Sequence, residues 1–132
     1  MDTADGRRIV GTKVSVEHFR KEDFAEELAN ARGNREIGTT VEFENETARV
    51  WTIELAPGER VPFHCHAETY FWICVDPGRA LIRRDDGTIE TYEFPVGETR
   101  FSYLNEETAL IHDLENVGDS TMRFVTVELL QS

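Results

Sequence analysis

The stretch that decides the fold is GERVPFHCHAETYFW, residues 58–72, which places His64 and His66 two positions apart among Val, Pro, Phe, Thr, Tyr and Trp. Successive side chains of a β-strand point to opposite faces, so His64 and His66 share one face and Cys65 points to the other. Two imidazoles on one face suit a metal ion, but ordinary strand histidines also occur at this spacing. The pair alone therefore leaves both interpretations open.

The rest of the chain reads as short strands separated by turn residues. From residue 38 onward, about nine segments rich in β-branched and aromatic residues alternate with turns such as APGE, DPG, DDG and NVGD. This spacing is typical of an antiparallel sandwich or barrel. Helices and strands do not alternate along the sequence, which argues against a parallel sheet. We predict an all-β fold in one domain overall, with an N-terminal segment at residues 1–37 and a barrel at residues 38–132.

One helical signal lies in the first third of the chain. In DFAEELANARG, the apolar residues Phe24, Leu28 and Ala31 recur at helical spacing, and acidic residues crowd the start. Gly33 can serve as the C-terminal cap. The pattern predicts a short helix near residues 21–32, whose narrow apolar face could cover a sheet edge or a partner subunit.

Composition limits the partners and the compartment. With 132 residues and 39% hydrophobic content, the chain is long enough for one core. Its net charge of -12 repels nucleic acid and anionic lipid. The polar opening MDTADGRRIV is too short for a signal peptide, and no apolar run approaches the roughly 20 residues that span a bilayer. Because two cysteines, Cys65 and Cys74, are too few for a disulfide scaffold, we expect a cytoplasmic protein.

A third histidine lies far from the first pair. His112 stands in TALIHDL, the next-to-last predicted strand. Strands distant in sequence can be neighbours in an antiparallel barrel, so His112 is a candidate to join His64 and His66. By contrast, His18 stands among charged residues before the helix and is expected at the surface.

Two motifs resemble those of the cupins. The first cupin motif is a Gly, five residues and His-x-His, and Gly58, ERVPF and the HCH that begins at His64 fill it. The second begins with Gly and ends with His, three residues and Asn, positions filled by Gly97, His112 and Asn116. The chain therefore resembles a small single-domain bacterial cupin of the cupin 2 conserved barrel type, similar to the cupins grouped with a β-alanine degradation protein.

The resemblance implies a double-stranded β-helix, the cupin jelly-roll barrel, whose two motif strands lie side by side. It then implies that His64, His66 and His112 bind a divalent transition metal on the inner wall. Three neutral imidazoles suit Zn, Fe, Ni or Mn, and also Cu, and they leave coordination positions open. Cupins with such a set use the metal as a Lewis acid or to activate dioxygen on iron.

The chain departs from the cupin pattern at the fourth ligand. Cupins usually place a metal-binding Glu three or four residues after the second His, where Tyr70 and Phe71 stand here. Glu68 shares strand parity with His66, and it can take the place of the missing Glu if the strand runs straight. Otherwise the Tyr70 phenol faces the site. The Pro-x-Gly turn of the second motif ends here in Asn105, which tolerates the left-handed conformation nearly as Gly does.

From these residues we expect a metal-dependent enzyme of the dioxygenase, isomerase or lyase type that acts on a small polar organic metabolite. Tyr70 or Glu68 would serve as proton donor, proton acceptor or fourth ligand. The alternative is a non-catalytic module that binds a small ligand. A homodimer is expected because small cupins commonly pair through their sheets and because RRIVGTKVSV, residues 7–16, is strand-like.

Overall fold

The structure is a computed structural model that describes residues 11–130. This part of the chain forms ten β-strands and one short helical segment. The strands are β1 (Thr12–His18), β2 (Thr40–Glu44), β3 (Ala48–Leu55), β4 (Arg60–His66), β5 (Thr69–Asp76), β6 (Gly78–Arg83), β7 (Thr88–Phe94), β8 (Thr99–Ser102), β9 (Leu110–Asn116) and β10 (Met122–Leu129). The nine strands predicted beyond residue 38 are confirmed as β2 to β10.

The helical segment matches the predicted range. Helix α1 (Ala25–Asn30) is flanked by 3₁₀ turns at Lys21–Phe24 and Ala31–Gly33. None of the helices in this part of the chain is long and apolar enough to cross a membrane.

Two antiparallel sheets of five strands face each other. The first has the order β1-β7-β6-β9-β4 and the second the order β2-β3-β10-β5-β8, so the all-β expectation is confirmed. β1 pairs with β7 of the same chain, which gives the N-terminal segment a strand in the first sheet. The part of the strand-like stretch 7–16 that the structure describes is therefore an edge strand within the chain, and residues 7–10 lie outside the described residues.

An apolar core fills one end of the space between the sheets. Alternation along β10 points Met122 and Phe124 inward, and the Trp72 ring meets Phe94 and Phe124 edge-on at centroid distances of 5.3 and 5.2 Å. Burial of a side chain of this size stabilises the fold by about 1.5–3 kcal/mol. The histidines lie beside this core and face the same space between the sheets.

The helical segment covers the outer face of the first sheet. Phe24 and Leu28 pack against a second cluster that includes Ala31, Phe63 and Ile111. The Phe24 ring meets Phe63 edge-on at a centroid distance of 5.5 Å. The apolar helix face therefore packs on the sheet of its own chain.

Beside this cluster, a group of ion pairs ties the helix to three strands. Asp113 on β9 is fully buried and accepts hydrogen bonds from Arg60 Nε of β4 at 2.7 Å and Arg83 Nη1 of β6 at 2.8 Å. Arg60 also donates to Glu27 of the helix, and Arg83 to Glu115. A buried carboxylate needs such partners, because an unpaired charge in the interior is strongly destabilising.

We expect Asp113→Asn to lower the free energy of unfolding by about 2–4 kcal/mol, since it leaves two partly buried guanidinium groups without their shared carboxylate. Urea denaturation followed by circular dichroism measures the change. The control is Glu54→Gln, which removes one exposed partner of Arg123 and should cost less than about 1 kcal/mol. Equal, small effects of both substitutions would contradict this account of the cluster.

The outer face of the second sheet carries an apolar row that crosses all five strands. Cross-strand pairing places Phe43 beside Val50, Val50 beside Val127, Val127 beside Phe71, and Phe71 beside Phe101. The last two rings are stacked at a centroid distance of 5.8 Å. A continuous apolar row on a sheet face is typical of a surface that another protein covers.

The homodimer stays a prediction, and this apolar row is the surface that we expect a second copy to cover. The wild-type chain should then have twice its monomer mass by light scattering at micromolar concentration. Val127→Glu, in the middle of the row, should shift the mass toward the monomer. Val16→Glu, on the exposed side of β1, is the matched control and should leave the mass unchanged. A monomeric wild type would reject the prediction.

Candidate metal centre

Three histidines converge inside the barrel. His64 and His66 lie on β4, and His112 lies directly opposite His64 on β9. The Nε2 atoms of His64 and His66 are 3.0 Å apart, and those of His66 and His112 are 3.1 Å apart. Cys65 points to the other face, where it packs in the cluster under the helix. The strand alternation predicted from the sequence therefore describes this part of β4 correctly.

A β-bulge turns His64 inward. Between the pairs Val61–Leu114 and His64–His112 the register shifts by one residue, so β4 has an extra residue relative to β9. Bulges are common beside functional sites. Pro62 lies within this shift, where the missing N–H of a proline interrupts no hydrogen bond between the strands. Without the extra residue, Val61 and His64 would point to opposite faces.

The backbone that the bulge releases from strand pairing finds other partners. The Phe63 N–H donates to Glu27 Oε1 at 2.6 Å, and Asn34 Nδ2 donates to the Phe63 carbonyl at 3.0 Å. His64 Nδ1 donates to the Pro62 carbonyl at 2.6 Å. A carbonyl can only accept, so the His64 proton is on Nδ1 and its Nε2 lone pair is free to bind a cation.

The other two imidazoles are held mainly by ring contacts. His66 stacks on Tyr70 at a centroid distance of 4.1 Å, and His112 meets His66 edge-on. Their Nδ1 atoms are buried and have no hydrogen-bond partner within residues 11–130.

All three histidines are neutral at physiological pH. Burial lowers the pKa of His64 to about 4, although the hydrogen bond to the Pro62 carbonyl acts to raise this pKa. Burial and the neighbouring imidazoles lower the pKa values of His66 and His112 well below the ordinary value. Neutral imidazole is the form that binds metal ions.

The geometry fits a metal ion. Two metal–nitrogen bonds of about 2.1 Å hold their nitrogen atoms about 3.0 Å apart at a right angle and about 3.4 Å apart at the tetrahedral angle. The separations of 3.0 and 3.1 Å are close to the right-angle value. The three histidines are also a group whose ligand atoms lie within 4.8 Å of one another. They could hold an ion on one side and leave its other side open to the cavity.

The histidines face a small cavity between the sheets, with a volume of about 60 Å³. Its walls are mostly apolar, and no charged side chain from residues 11–130 lines it. The lining residues are Ile37, Ile53, His64, His66, Tyr70, Trp72, Ile82, Phe94, His112, Leu114, Phe124 and Thr126.

Of the two predicted alternatives beside the histidines, Tyr70 lines the cavity. Burial raises the pKa of its hydroxyl to about 12, against the effect of a hydrogen bond with the Ser102 side chain, so the hydroxyl stays protonated at neutral pH. Glu68 lies at the bend between β4 and β5 and is not part of the cavity lining or of the group of histidine ligand atoms. The straight strand that would align Glu68 with His66 ends at His66.

The sequence analysis missed two polar residues on the inner face of β10. Thr126 lines the cavity, and its Oγ1 is buried without a hydrogen-bond partner among the described residues. Glu128 is buried two positions further and accepts a hydrogen bond from Trp51 Nε1 at 2.7 Å; burial raises its pKa. The alternation of MRFVTVEL, residues 122–129, indicates that these side chains share a face with Phe124, but not that this face meets the histidines.

A second missed feature is the segment 34–39, which joins the two sheets. The Asn34 carbonyl accepts from the Cys65 N–H at 2.8 Å, and the Thr39 N–H donates to the Thr52 carbonyl at 2.9 Å. Between these anchors, Ile37 is only 1% exposed and forms part of the cavity wall. We name residues 34–39 the bridging segment.

The glycines that begin the two motifs have a left-handed backbone conformation. Gly58 and Gly97 have φ values of +86° and +89°, in the region that side chains with a Cβ rarely adopt. No residue other than glycine has a positive φ within residues 11–130, so the left-handed conformation expected of Asn105 is not found. Its Oδ1 instead accepts from the backbone N–H groups of Glu107 and Thr108, which stabilises the turn through the side chain.

Neither a family model nor a curated protein sequence matches this chain. Solved structures do match it. A cupin domain from Bordetella pertussis Tohama I is 23% identical, with a TM-score of 0.61 over 70% of this chain and 91% of that one. A conserved protein with a double-stranded β-helix domain from Klebsiella pneumoniae is 20% identical, with a TM-score of 0.54 over 67% and 68%.

A cupin superfamily protein from Desulfitobacterium hafniense is 13% identical, with a TM-score of 0.52 over 93% of this chain and 84% of that one. None of these structures supports the link to a β-alanine degradation protein. The shared architecture and the two facing sheets identify the fold of this chain as that of the cupins, the double-stranded β-helix.

Proposed function

We propose that His64, His66 and His112 bind a divalent transition metal and that the chain acts on a small organic metabolite at this metal. The observation that carries the proposal is the convergence of three neutral imidazoles, with Nε2 separations of 3.0 and 3.1 Å, at the wall of a cavity between the sheets. Zn, Fe, Ni and Mn all accept such a donor set. A bound metal would supply Lewis-acid activation of a ligand oxygen or, as iron, activation of dioxygen.

The protein residues fix the geometry around this centre. The Nδ1–H of His64 is held by the Pro62 carbonyl, which orients its Nε2 toward the other imidazoles. Tyr70 holds His66 by ring stacking, and we assign it this positioning role. Because its hydroxyl stays protonated, Tyr70 can donate a hydrogen bond but cannot act as a base at neutral pH.

A non-catalytic binding module is the second candidate. It is favoured by the cavity lining, which includes no carboxylate, lysine or arginine within residues 11–130 that could accept or supply a proton. The two candidates differ in the fate of the ligand. An enzyme converts a bound ligand into a product that nuclear magnetic resonance detects over time, whereas a binding module releases it unchanged.

Replacing His66 with Ala should reduce bound metal to less than one-tenth of one equivalent, because it removes the imidazole that lies between the other two. Elemental analysis measures the metal, and circular dichroism should show that the fold remains. His18→Ala, at an exposed position on β1, is the matched control and should keep one equivalent. If the His66 variant retained stoichiometric metal, the site would have to lie elsewhere.

Two substitutions at Tyr70 separate its ring from its hydroxyl. Tyr70→Phe keeps the stacking on His66 and should leave metal affinity within about twofold, whereas Tyr70→Leu removes the stacking and should weaken it about tenfold. Competition with a chelator measures both affinities. Glu68→Gln should have no effect. Loss of metal from the Glu68 variant, with no change in Tyr70→Leu, would make Glu68 a ligand and reverse the assignment.

A further inference from the structure

We propose that Thr126 is a ligand-binding residue of this site, and that its hydroxyl forms a hydrogen bond with a polar atom of the ligand at a point separate from the metal. The ligand class is then a bifunctional molecule, with one polar atom at the metal and an oxygen or nitrogen at Thr126. A hydroxyl both donates and accepts, so the class includes alcohols and carbonyl compounds as well as anions. This inference rests on the proposed function, since the metal held by the three histidines would bind the first of the two atoms.

The Thr126 hydroxyl is buried at the cavity wall. The side chain is 1% exposed and lines the cavity, and its Oγ1 has no hydrogen-bond partner within residues 11–130. Such a group is rare in folded proteins, because a buried hydroxyl without a partner loses its bonds with water and gains none in return. A polar ligand atom in the cavity would supply the missing bond.

The groups beside Thr126 in the sheet are bonded elsewhere or are apolar. Strand pairing places Thr126 between Trp51 of β3 and Trp72 of β5. The Trp51 Nε1–H donates to Glu128 Oε1 at 2.7 Å, and the Trp72 ring packs against the apolar core. The hydroxyl is therefore left to the cavity that its side chain lines.

The order of residues along β10 is the reverse of what burial alone favours. Val125 and Val127 lie on the outer face and are partly exposed, whereas Thr126 between them points inward and is buried. Valine has nearly the shape of threonine but lacks the hydroxyl, whose burial without a partner costs free energy. Packing alone would favour valine at position 126, so a ligand contact explains the threonine better than packing does.

A second hydroxyl lines the cavity, and it differs from that of Thr126. The Tyr70 hydroxyl has a hydrogen bond with the Ser102 side chain, and the Tyr70 ring stacks on His66. Tyr70 is thus engaged within the protein at both its ring and its hydroxyl. Thr126 has the one hydroxyl on the cavity lining that lacks a partner among the described residues.

The rest of the lining indicates the character of the ligand between its two polar atoms. Apart from the histidines, Tyr70 and Thr126, the lining consists of seven aliphatic or aromatic side chains. These residues are Ile37, Ile53, Trp72, Ile82, Phe94, Leu114 and Phe124. We expect the framework that joins the two polar atoms to be apolar, because it would lie against these walls.

The test uses the full chain loaded with Co²⁺, because thiolate binding to cobalt produces a charge-transfer band that can be followed in a titration. Two pairs of thiols serve as probes: 2-mercaptoethanol with 1-propanethiol, and 3-mercapto-1-propanol with 1-butanethiol. Within a pair, the first thiol has a hydroxyl where the second has a methyl group. The pairs differ by one methylene, so they sample two separations between the metal and the hydroxyl.

The measured quantity is the ratio of the dissociation constant of the alkyl thiol to that of the hydroxy thiol. This ratio should fall about three- to tenfold in Thr126→Val for at least one pair, because the variant lacks the partner of the ligand hydroxyl. Thr126→Ser keeps the hydroxyl and should keep the ratio within about twofold. Thr52→Val makes the same substitution on the outer face of β3 and should leave the ratio unchanged. Cobalt stoichiometry should be the same in all three variants.

The stability of the chelator-treated chain separates a ligand contact from a structural hydrogen bond. Thr126→Val should not lower the urea midpoint of unfolding, because the hydroxyl that it removes has no partner in the described part of the chain. A lower midpoint would mean that the hydroxyl is bonded within the protein, and it would overturn the proposal.

The outcomes distinguish this inference from the proposed function. If cobalt binds but Thr126→Val changes the ratio in neither pair, or if Thr52→Val changes it as much, Thr126 is not a ligand-binding residue and the metal site stands. If the wild type binds no cobalt, or if His66→Ala binds as much as the wild type, the proposed function fails and the ligand class fails with it.

Discussion

The register shift between Val61 and His64 on β4 determines which side chains the barrel presents on its inner wall. One extra residue in this edge strand lets Val61 face the apolar core and His64 face the cavity, although the two are three positions apart. The backbone groups it frees are bonded by Glu27 from the helix and by Asn34 from the bridging segment. The bulge thus sets the histidine geometry and is bonded to both the helix and the bridging segment.

The same two strands separate opposite electrostatic environments. On the outer face of β4 and β9, Asp113 joins Arg60 and Arg83 in a charged cluster that is closed by the helix. On the inner face, His64 and His112 are neutral because burial opposes their protonation. The chain has a net charge of -12, but no charged side chain from residues 11–130 lines the cavity. The Asp113 ion pairs therefore join these strands on the face opposite the cavity.

The sequence predicted the histidine group because each step was local. Alternation placed His64 and His66 on one face, and the two motifs, each with a glycine turn, indicated that His112 lies nearby. Local reasoning left the fourth position open between Tyr70 and Glu68, and the bend after His66 interrupts the straight strand on which the Glu68 alternative depends. Thr126 could not be assigned to the site, because alternation along β10 shows which side chains share a face but not what that face meets. The position of β10 comes from its pairing with β3 and β5, which are distant in sequence.

Ile37 illustrates a separation of roles within the chain. It lines the cavity from the bridging segment, outside every strand, whereas the histidines stand on paired strands whose register is fixed by hydrogen bonds. A connecting segment tolerates substitution more readily than a paired strand. During divergence, a chain of this architecture can therefore enlarge or reduce its internal chamber by changing a connecting segment while the imidazole geometry is inherited unaltered.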